Sequence, residues 1–331
     1  MPESFFLLLC VIILALVFDF INGFHDTANA IATSVSTRVL SPKVAVLMAA
    51  VLNMAGALSG TAVAKTVGAG LVQAVSITQV TIISALVAAI VWDLITWYYG
   101  LPTSSSHAIL SGLVGAAIAT SGFEVIIGKG VYKVLTALIL SPLIGFILSI
   151  MLMSFLMWLF RKSTPTLVSS LFGRLQILSA AYMAFSHGSN DAQKTMGIIT
   201  MALVSYYQLT DFHVPFWVII LCATAMAFGT AAGGWRIIKT LGIRLVQLRP
   251  IHGFAAETAA ATVIEVASRM GLPLSTTHVI SSTIMGVGAS KRFSAVRWGV
   301  GGNIVLAWVL TLPACLILAW IICKILHLIL G

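Results

Sequence analysis

The chain has 331 residues, of which 60% are hydrophobic and only 8% charged, with 18 Lys and Arg against nine Asp and Glu. An ordinary soluble domain is about one quarter charged, so a water-soluble fold is excluded. The net charge of +9 does not call for nucleic acid, because polytopic membrane proteins concentrate Lys and Arg in their cytoplasmic loops.

A helix that crosses the hydrocarbon layer needs ~20 mostly apolar residues. Stretches of this kind run over residues 5–21, 44–64, 77–99, 104–121, 131–160, 175–204, 214–235, 251–270, 275–290 and 298–323. Several are interrupted by Gly, Pro or polar clusters. The pattern predicts an all-α polytopic membrane protein with about ten to twelve membrane segments, some of them discontinuous or re-entrant. The first stretch follows Met1-Pro2-Glu3-Ser4, lacks the basic flank of a signal peptide, and is expected to be retained as a span. Cys10, Cys222, Cys315 and Cys323 stand alone in apolar stretches with no metal-ligand spacing and are expected to be free packing thiols.

The chain repeats itself. Gly100-Leu101-Pro102-Thr103-Ser104-Ser105-Ser106-His107, continued to Gly115, aligns without gaps to Gly271-Leu272-Pro273-Leu274-Ser275-Thr276-Thr277-His278, continued to Gly286, with eight of sixteen positions identical. Phe20-Ile21-Asn22-Gly23-Phe24-His25-Asp26 pairs with Phe185-Ser186-His187-Gly188-Ser189-Asn190-Asp191, and Gly60-Thr61-Ala62 with Gly229-Thr230-Ala231. This divides the chain into a transmembrane repeat at 1–160, a polar cytoplasmic linker at 161–174 and a second transmembrane repeat at 175–331.

The basic residues orient the halves. With the linker inside, alternation places the basic residues of 236–249 and 291–297 inside, and inverting the plan for the first half puts Arg38 and Lys43 inside as well. Lys65, Lys129, Lys133 and Lys324 are left outside, so twelve basic residues lie inside against four outside. The positive-inside rule therefore favours two repeats of inverted topology.

Asp19, Asp26, Asp93, Asp191, Glu257 and Glu265 fall within membrane segments, where each carboxylate costs ~2.5–3.5 kcal/mol on insertion scales. Asp26 and Asp191 occupy equivalent positions of the two repeats, each in a Gly-containing polar segment expected to be a helix break. Asn22, Asp26, Asn29, Asn190 and Asp191, with unpaired backbone carbonyls, offer the oxygen shell of a small hard cation. The hydroxyl runs suit the opposite charge. Pro102 or Pro273 can begin a helix, placing Ser104, Ser105 and Ser106, or Ser275, Thr276 and Thr277, in a first turn whose bare N–H groups and hydroxyls cradle an oxyanion. Lys194 is an intramembrane cation, either paired with an acid or facing the anion.

Gly23-Phe24-His25-Asp26-Thr27-Ala28-Asn29-Ala30, His187-Gly188-Ser189-Asn190-Asp191-Ala192-Gln193-Lys194 and the Leu-Pro-x-Ser-[Ser/Thr]-[Ser/Thr]-His of each half resemble the inorganic phosphate transporter (PiT) family over essentially the whole chain. The resemblance implies an inverted-repeat fold, symport of inorganic phosphate with Na+ or H+, and a homodimer. It adds Gln193 to Lys194 and the hydroxyls as phosphate-binding residues, and it adds Glu257, in Gly253-Phe254-Ala255-Ala256-Glu257, to the cation set. Na+ is expected at Asp26, Asn29, Asn190, Asp191 and Glu257. The chain departs from the family in carrying His25 where an Asn is usual before the first motif Asp, and in having no first-half counterpart of Glu257.

Two other cargoes fit parts of this pattern. Sulfate or another oxyanion would use the same hydroxyls, and a divalent metal could be held by His25 with Asp26 or His187 with Asp191. An enzyme is not expected: there is no His-Glu-x-x-His motif, and Ser106 beside His107 is not a preorganised dyad. The expected protein is a multi-pass transporter of the cytoplasmic membrane without a cofactor, surrounded by lipid and coupled to Na+ or H+.

Overall fold

The computed structural model describes residues 4–73 and 77–330, which leaves Glu3 outside. The chain is 84% helix, and no strand occurs among the described residues apart from two isolated bridges, Val72 with Ile126 and Val246 with Val296. The helices are α1 (Phe5–Ser36), α2 (Pro42–Ala57), α3 (Ala62–Gly70), α4 (Gln79–Tyr99), α5 (Ser105–Ser121), α6 (Gly128–Leu159), α7 (Pro165–Tyr207), α8 (Phe216–Ala232), α9 (Trp235–Lys239), α10 (Pro250–Arg269), α11 (Thr276–Lys291) and α12 (Trp298–Leu330). Among the described residues α1, α4, α6, α7 and α12 are long and apolar enough to cross a membrane, and the bent pairs α2–α3 (67°) and α8–α9 (60°) raise the number to seven. The shorter α5, α10 and α11 account for the remaining apolar stretches. This is an all-α polytopic membrane fold.

The duplication is visible in the element order, in which α1–α6 and α7–α12 run in the same sequence. Short 3-10 turns at Phe123–Val125 and Phe293–Ala295 precede α6 and α12, and those two helices carry Pro142 and Pro313 at matching places. The halves exchange partners, α1 packing on α8 and α2 on α7, α5 on α12 and α6 on α11.

The expected helix breaks at residues 19–29 and 187–194 are not there. α1 and α7 run unbroken through them for 32 and 43 residues. Asp26, Asn29, Asn190 and Lys194 find partners outside their own helices, the backbone keeps its own hydrogen bonds, and Gly23 and Gly188 serve close approach instead. A Cβ on Gly23 would stand 2.5 Å from the Met226 carbonyl oxygen and 2.9 Å from the Thr230 amide, and one on Gly188 would stand 2.6 Å from the Asn53 carbonyl carbon. Gly229 and Gly56 complete the two crossings, against Phe20 and Phe185 respectively. The third repeat match is thereby corrected: Gly229 corresponds to Gly56 inside α2, whereas Gly60 lies in the α2–α3 bend. The discontinuities lie at the two bends and at the α4–α5 and α10–α11 turns, where Gly100 and Gly271 adopt φ of +66° and +67°.

The connection between the halves is also shorter than the expected 161–174 linker. Thr164 caps α7 by accepting from the Leu167 amide, and Pro165 opens it at a position that needs no N–H donor. Residues 165–174 are therefore helical. α1 and α7 run antiparallel. Phe5 at the start of α1 packs its ring 6.5 Å from Tyr206 at the end of α7, and Glu257 bonds both Thr33, late in α1, and Ser179, early in α7.

Candidate functional site

α5 and α11 begin at the middle of the molecule, each through the same local device. Ser104 and Ser275 are extended N-cap residues whose hydroxyls accept from the amides of His107 and His278 at 3.1 Å. A cap needs an extended residue with a side-chain acceptor, so the helices start after Ser104 and Ser275. Pro102 and Pro273, expected to open them, stand two residues ahead of the caps. The two N-termini lie together, with the rings of His107 and His278 stacked at 4.4 Å and His278 on Trp308 at 3.9 Å.

Asp26 of α1 and Asp191 of α7 meet at these N-termini. Thr277 donates to Asp26 Oδ2 at 3.3 Å and Thr276 to Asp191 Oδ2 at 3.1 Å. Asn29 donates to both threonine hydroxyls, at 3.2 and 2.9 Å. Lys194, which takes the place of Asn29 in the second repeat, donates to Asp191, to Ser106 and, at 2.9 Å, to the Leu274 carbonyl. Its ammonium is thus salt-bridged to Asp191 and buried. Ser106 also donates to the Leu274 carbonyl at 2.9 Å, while the buried Ser105 hydroxyl makes no hydrogen bond of normal geometry among the described residues and faces the Asp93 carboxylate. Ligand atoms of Asp26, His187 and Asp191 all lie within 4.8 Å of one another. At an effective dielectric of about 20, two carboxylates that close repel by roughly 3 kcal/mol or more. Lys194 offsets one charge, and the remaining negative charge favours a cation beside any anion held there.

Not every candidate converges on this centre. Asn190 turns away: it donates to Ser268 at 2.8 Å and the Leu272 carbonyl at 3.3 Å and accepts from the Leu274 amide at 3.4 Å, so it holds the α10–α11 turn. Gln193 also turns away, capping α3 by accepting from the Val63 amide at 2.8 Å and donating to the Ser189 carbonyl at 2.6 Å. Glu257 is buried elsewhere, bonded to Thr33, Gln176 and Ser179. Since Thr33 lies seven residues from Asp26, Glu257 marks a place ~10 Å along α1. Asn22 is buried, its Oδ1 unpartnered among the described residues.

His25 and His187, singled out above only as possible metal ligands, belong to the centre, and Asn53 joins them without having been singled out. His25 Nδ1 lies 2.7 Å from Asp26 Oδ1, and its Nε2 faces Thr96 at 3.2 Å and Thr103 at 3.5 Å. His187 Nδ1 lies 3.0 Å from Asn53 Oδ1, and Asn53 donates to Thr230 at 2.8 Å. The signal for Asn53 was a lone amide in the apolar stretch 44–64. Nothing in the sequence pointed to the Leu274 carbonyl, because a backbone acceptor has no residue type.

The sequence profile of the phosphate transporter family matches residues 22–168 and, a second time, residues 160–319. The chain belongs to the phosphate transporter family. It is 50% identical over 313 residues to a Rhizobium meliloti (strain 1021) protein named "Probable low-affinity inorganic phosphate transporter", covering 94% of each chain. A Bacillus subtilis (strain 168) protein of the same name is 50% identical over 310 residues, covering 93% of each. A solved structure named "The sodium-dependent phosphate transporter" superposes with a TM-score of 0.88 over 98% of this chain and 99% of that one at 24% identity, a likeness that shows the fold. The chain is thus a membrane transporter for phosphate and not an enzyme.

Within this family member the hydroxyls of Ser105, Ser106, Thr276 and Thr277 can each donate to and accept from a protonated phosphate once they leave their present partners. Ser105→Ala and Thr276→Ala are each expected to weaken phosphate binding roughly tenfold or more, ~1.4 kcal/mol per decade. Sulfate, with no proton to donate at neutral pH, should lose less, so discrimination narrows. Competition of labelled phosphate uptake by sulfate and arsenate measures this, and sulfate competing as well as phosphate in the wild type would reverse the cargo assignment.

Proposed function

We propose that the protein is a secondary active symporter that moves inorganic phosphate with Na+ across the cytoplasmic membrane, as two repeats of inverted topology and as a homodimer. The observation that carries the reading is the meeting of two capped helix N-termini with a pair of buried Asp residues. The N-termini and hydroxyls suit an oxyanion, whereas Asp26 and Asp191, with Lys194 offsetting one charge, suit a monovalent cation next to it. An anion could not sit against two carboxylates without that cation, which gives a physical reason for the two to move together. The sodium dependence in the name of the solved relative supports the choice of ion.

Uptake of phosphate into proteoliposomes under a Na+ gradient with no pH gradient is the direct test. Accumulation is expected; accumulation only under a pH gradient would assign the coupling to H+. The Asp26, His187 and Asp191 cluster favours one second reading, a divalent metal at the same place, and Lys194 bonded to Asp191 argues against it by supplying a competing cation. Unchanged phosphate uptake after chelation is the expected result.

Orientation is open to labelling. Antiparallel α1 and α7, each the first helix of its repeat, support the inverted plan, as does the charge asymmetry. In a background lacking the native thiols, single cysteines at the exposed positions Ser41 and Ser294 are expected to react from the cytoplasm, and one at Thr210 from outside. Reaction of the Ser41 variant from outside would overturn the plan.

A further inference from the structure

We infer that Asp19, Asn22 and Thr195 form a further binding site for a monovalent cation, placed beyond Asp26 on the side opposite Glu257. The inference rests on the Na+-coupled reading above.

Asp19 is fully buried in α1, and its carboxylate oxygens make no hydrogen bond of normal geometry among the described residues, with only the Thr195 hydroxyl and the Cys222 thiol near enough to interact as donors. A buried carboxylate without a partner is among the costliest groups a membrane protein can hold. Among the described residues Asn22 Oδ1 is also buried and unpartnered, and Thr195 Oγ1 is buried with no hydrogen bond of normal geometry. Asn22 is three residues along α1 from Asp19 and therefore on the same face. The Thr195 hydroxyl and the Cys222 thiol stand beside the Asp19 carboxylate and face it as weak donors, and the charges of Asp191 and Lys194 act on it. Lys194 spends its donors on Asp191, Ser106 and the Leu274 carbonyl and does not bond Asp19.

The ligand class follows from the donor set. One carboxylate, one amide oxygen and one hydroxyl are hard oxygen ligands with a single negative charge, which balances one monovalent ion and falls short of what Ca2+ or Mg2+ sites use. A proton on Asp19 would give one new donor to several unpartnered oxygens, whereas one desolvated cation touches them all. Position gives the role. Asp19, Asp26 and Thr33, the last bonded to Glu257, are spaced by seven residues, two helical turns, so they lie on one face of α1 about 10 Å apart. Antiparallel α7 supplies Thr195 and Asp191 to the first two places and Ser179 to the third. Three acidic stations thus line the α1–α7 crossing. Glu257 accepts well-formed hydrogen bonds from three side chains, whereas Asp19 accepts none of normal geometry among the described residues.

The test is equilibrium binding of radioactive sodium to the full-length protein in detergent, with choline as the replacement cation and phosphate binding measured alongside. Asp19→Asn is expected to remove one sodium site per chain while phosphate still binds, which also shows that the variant is folded. Thr195→Val, which keeps the shape and removes one oxygen, is expected to weaken one class of sodium sites roughly tenfold and covers the case in which Asp19→Asn does not fold. Wild-type sodium binding in Thr195→Val, or in a folded Asp19→Asn, overturns the site, and does so alone if Asp26→Asn still loses sodium. Unchanged sodium binding with altered proton release in Asp19→Asn assigns a proton station and likewise overturns it. A wild type that binds phosphate but no sodium overturns both this site and the Na+-coupled reading.

Discussion

Asp26→Asn and Asp191→Asn are each expected to abolish cation-driven phosphate uptake while the protein still inserts and purifies. The substitution keeps the size of the side chain and an oxygen able to accept from Thr277 or Thr276, so the packing around it survives. What is lost is the charge. At Asp26 the loss leaves the Lys194–Asp191 pair neutral, and no net negative charge holds the cation. At Asp191 the loss leaves Lys194 facing an amide, and the buried ammonium opposes the cation directly. The second variant should also be the less stable, because breaking a buried ion pair from one side costs about 3–5 kcal/mol. Uptake in proteoliposomes, with thermal unfolding of the same preparations, separates the two effects. Wild-type uptake in either variant would reduce these residues to helix packing.

Gly188→Leu and Gly229→Leu are expected to leave little or no monodisperse protein in detergent. Any Cβ at these positions runs into the backbone of the crossing helix, Asn53 in one case and Phe20 in the other. A backbone cannot turn aside as a side chain can, so the helices must separate, and overpacking penalties of ~1–3 kcal/mol are a lower bound. Both crossings lie beside the site, since Gly188 is three residues before Asp191 and Gly229 packs on Gly23, three before Asp26. Gly173→Ala in α7 is the control. A Cβ there meets nothing within 4 Å, and the change should stabilise by about 0.5–1 kcal/mol. Size-exclusion profiles and melting temperatures of the three variants give the comparison, and a well-behaved Gly188→Leu protein would contradict the close crossing.

Much of this molecule could be read from its residues because the bilayer leaves few choices. Without water to satisfy backbone groups, apolar stretches of spanning length must be helices, and the ten stretches each became a helix or a bent pair. Asp26, Asp191 and the two hydroxyl runs were legible for the same reason: polar groups are costly there, so a duplicated polar motif carries information that it would not carry in a soluble protein. Partner choice was not legible. Gln193 and Asn190 sit in the same motif as Asp191 and Lys194, but a helix aims successive residues about 100° apart, and two of the four point at α3 and the α10–α11 turn instead of the centre.

Composition and the internal repeat by themselves determined the all-helical membrane class, the duplication and the pairing of Asp26 with Asp191 and of one hydroxyl run with the other, since each follows from the cost of polarity in hydrocarbon or from identity along the chain. Only the tertiary structure decided that α1 and α7 stay unbroken, because whether a polar segment unwinds depends on partners such as Thr276 and Thr277, some 250 residues away from Asp26 in the sequence and adjacent in space. It likewise decided that Lys194 pairs with Asp191, that Glu257 stands two helical turns from the centre, and that Asp19 is buried with no well-formed hydrogen bond to its carboxylate among the described residues. These are properties of which helix faces meet, and a helix face has no meaning until its neighbour is in place.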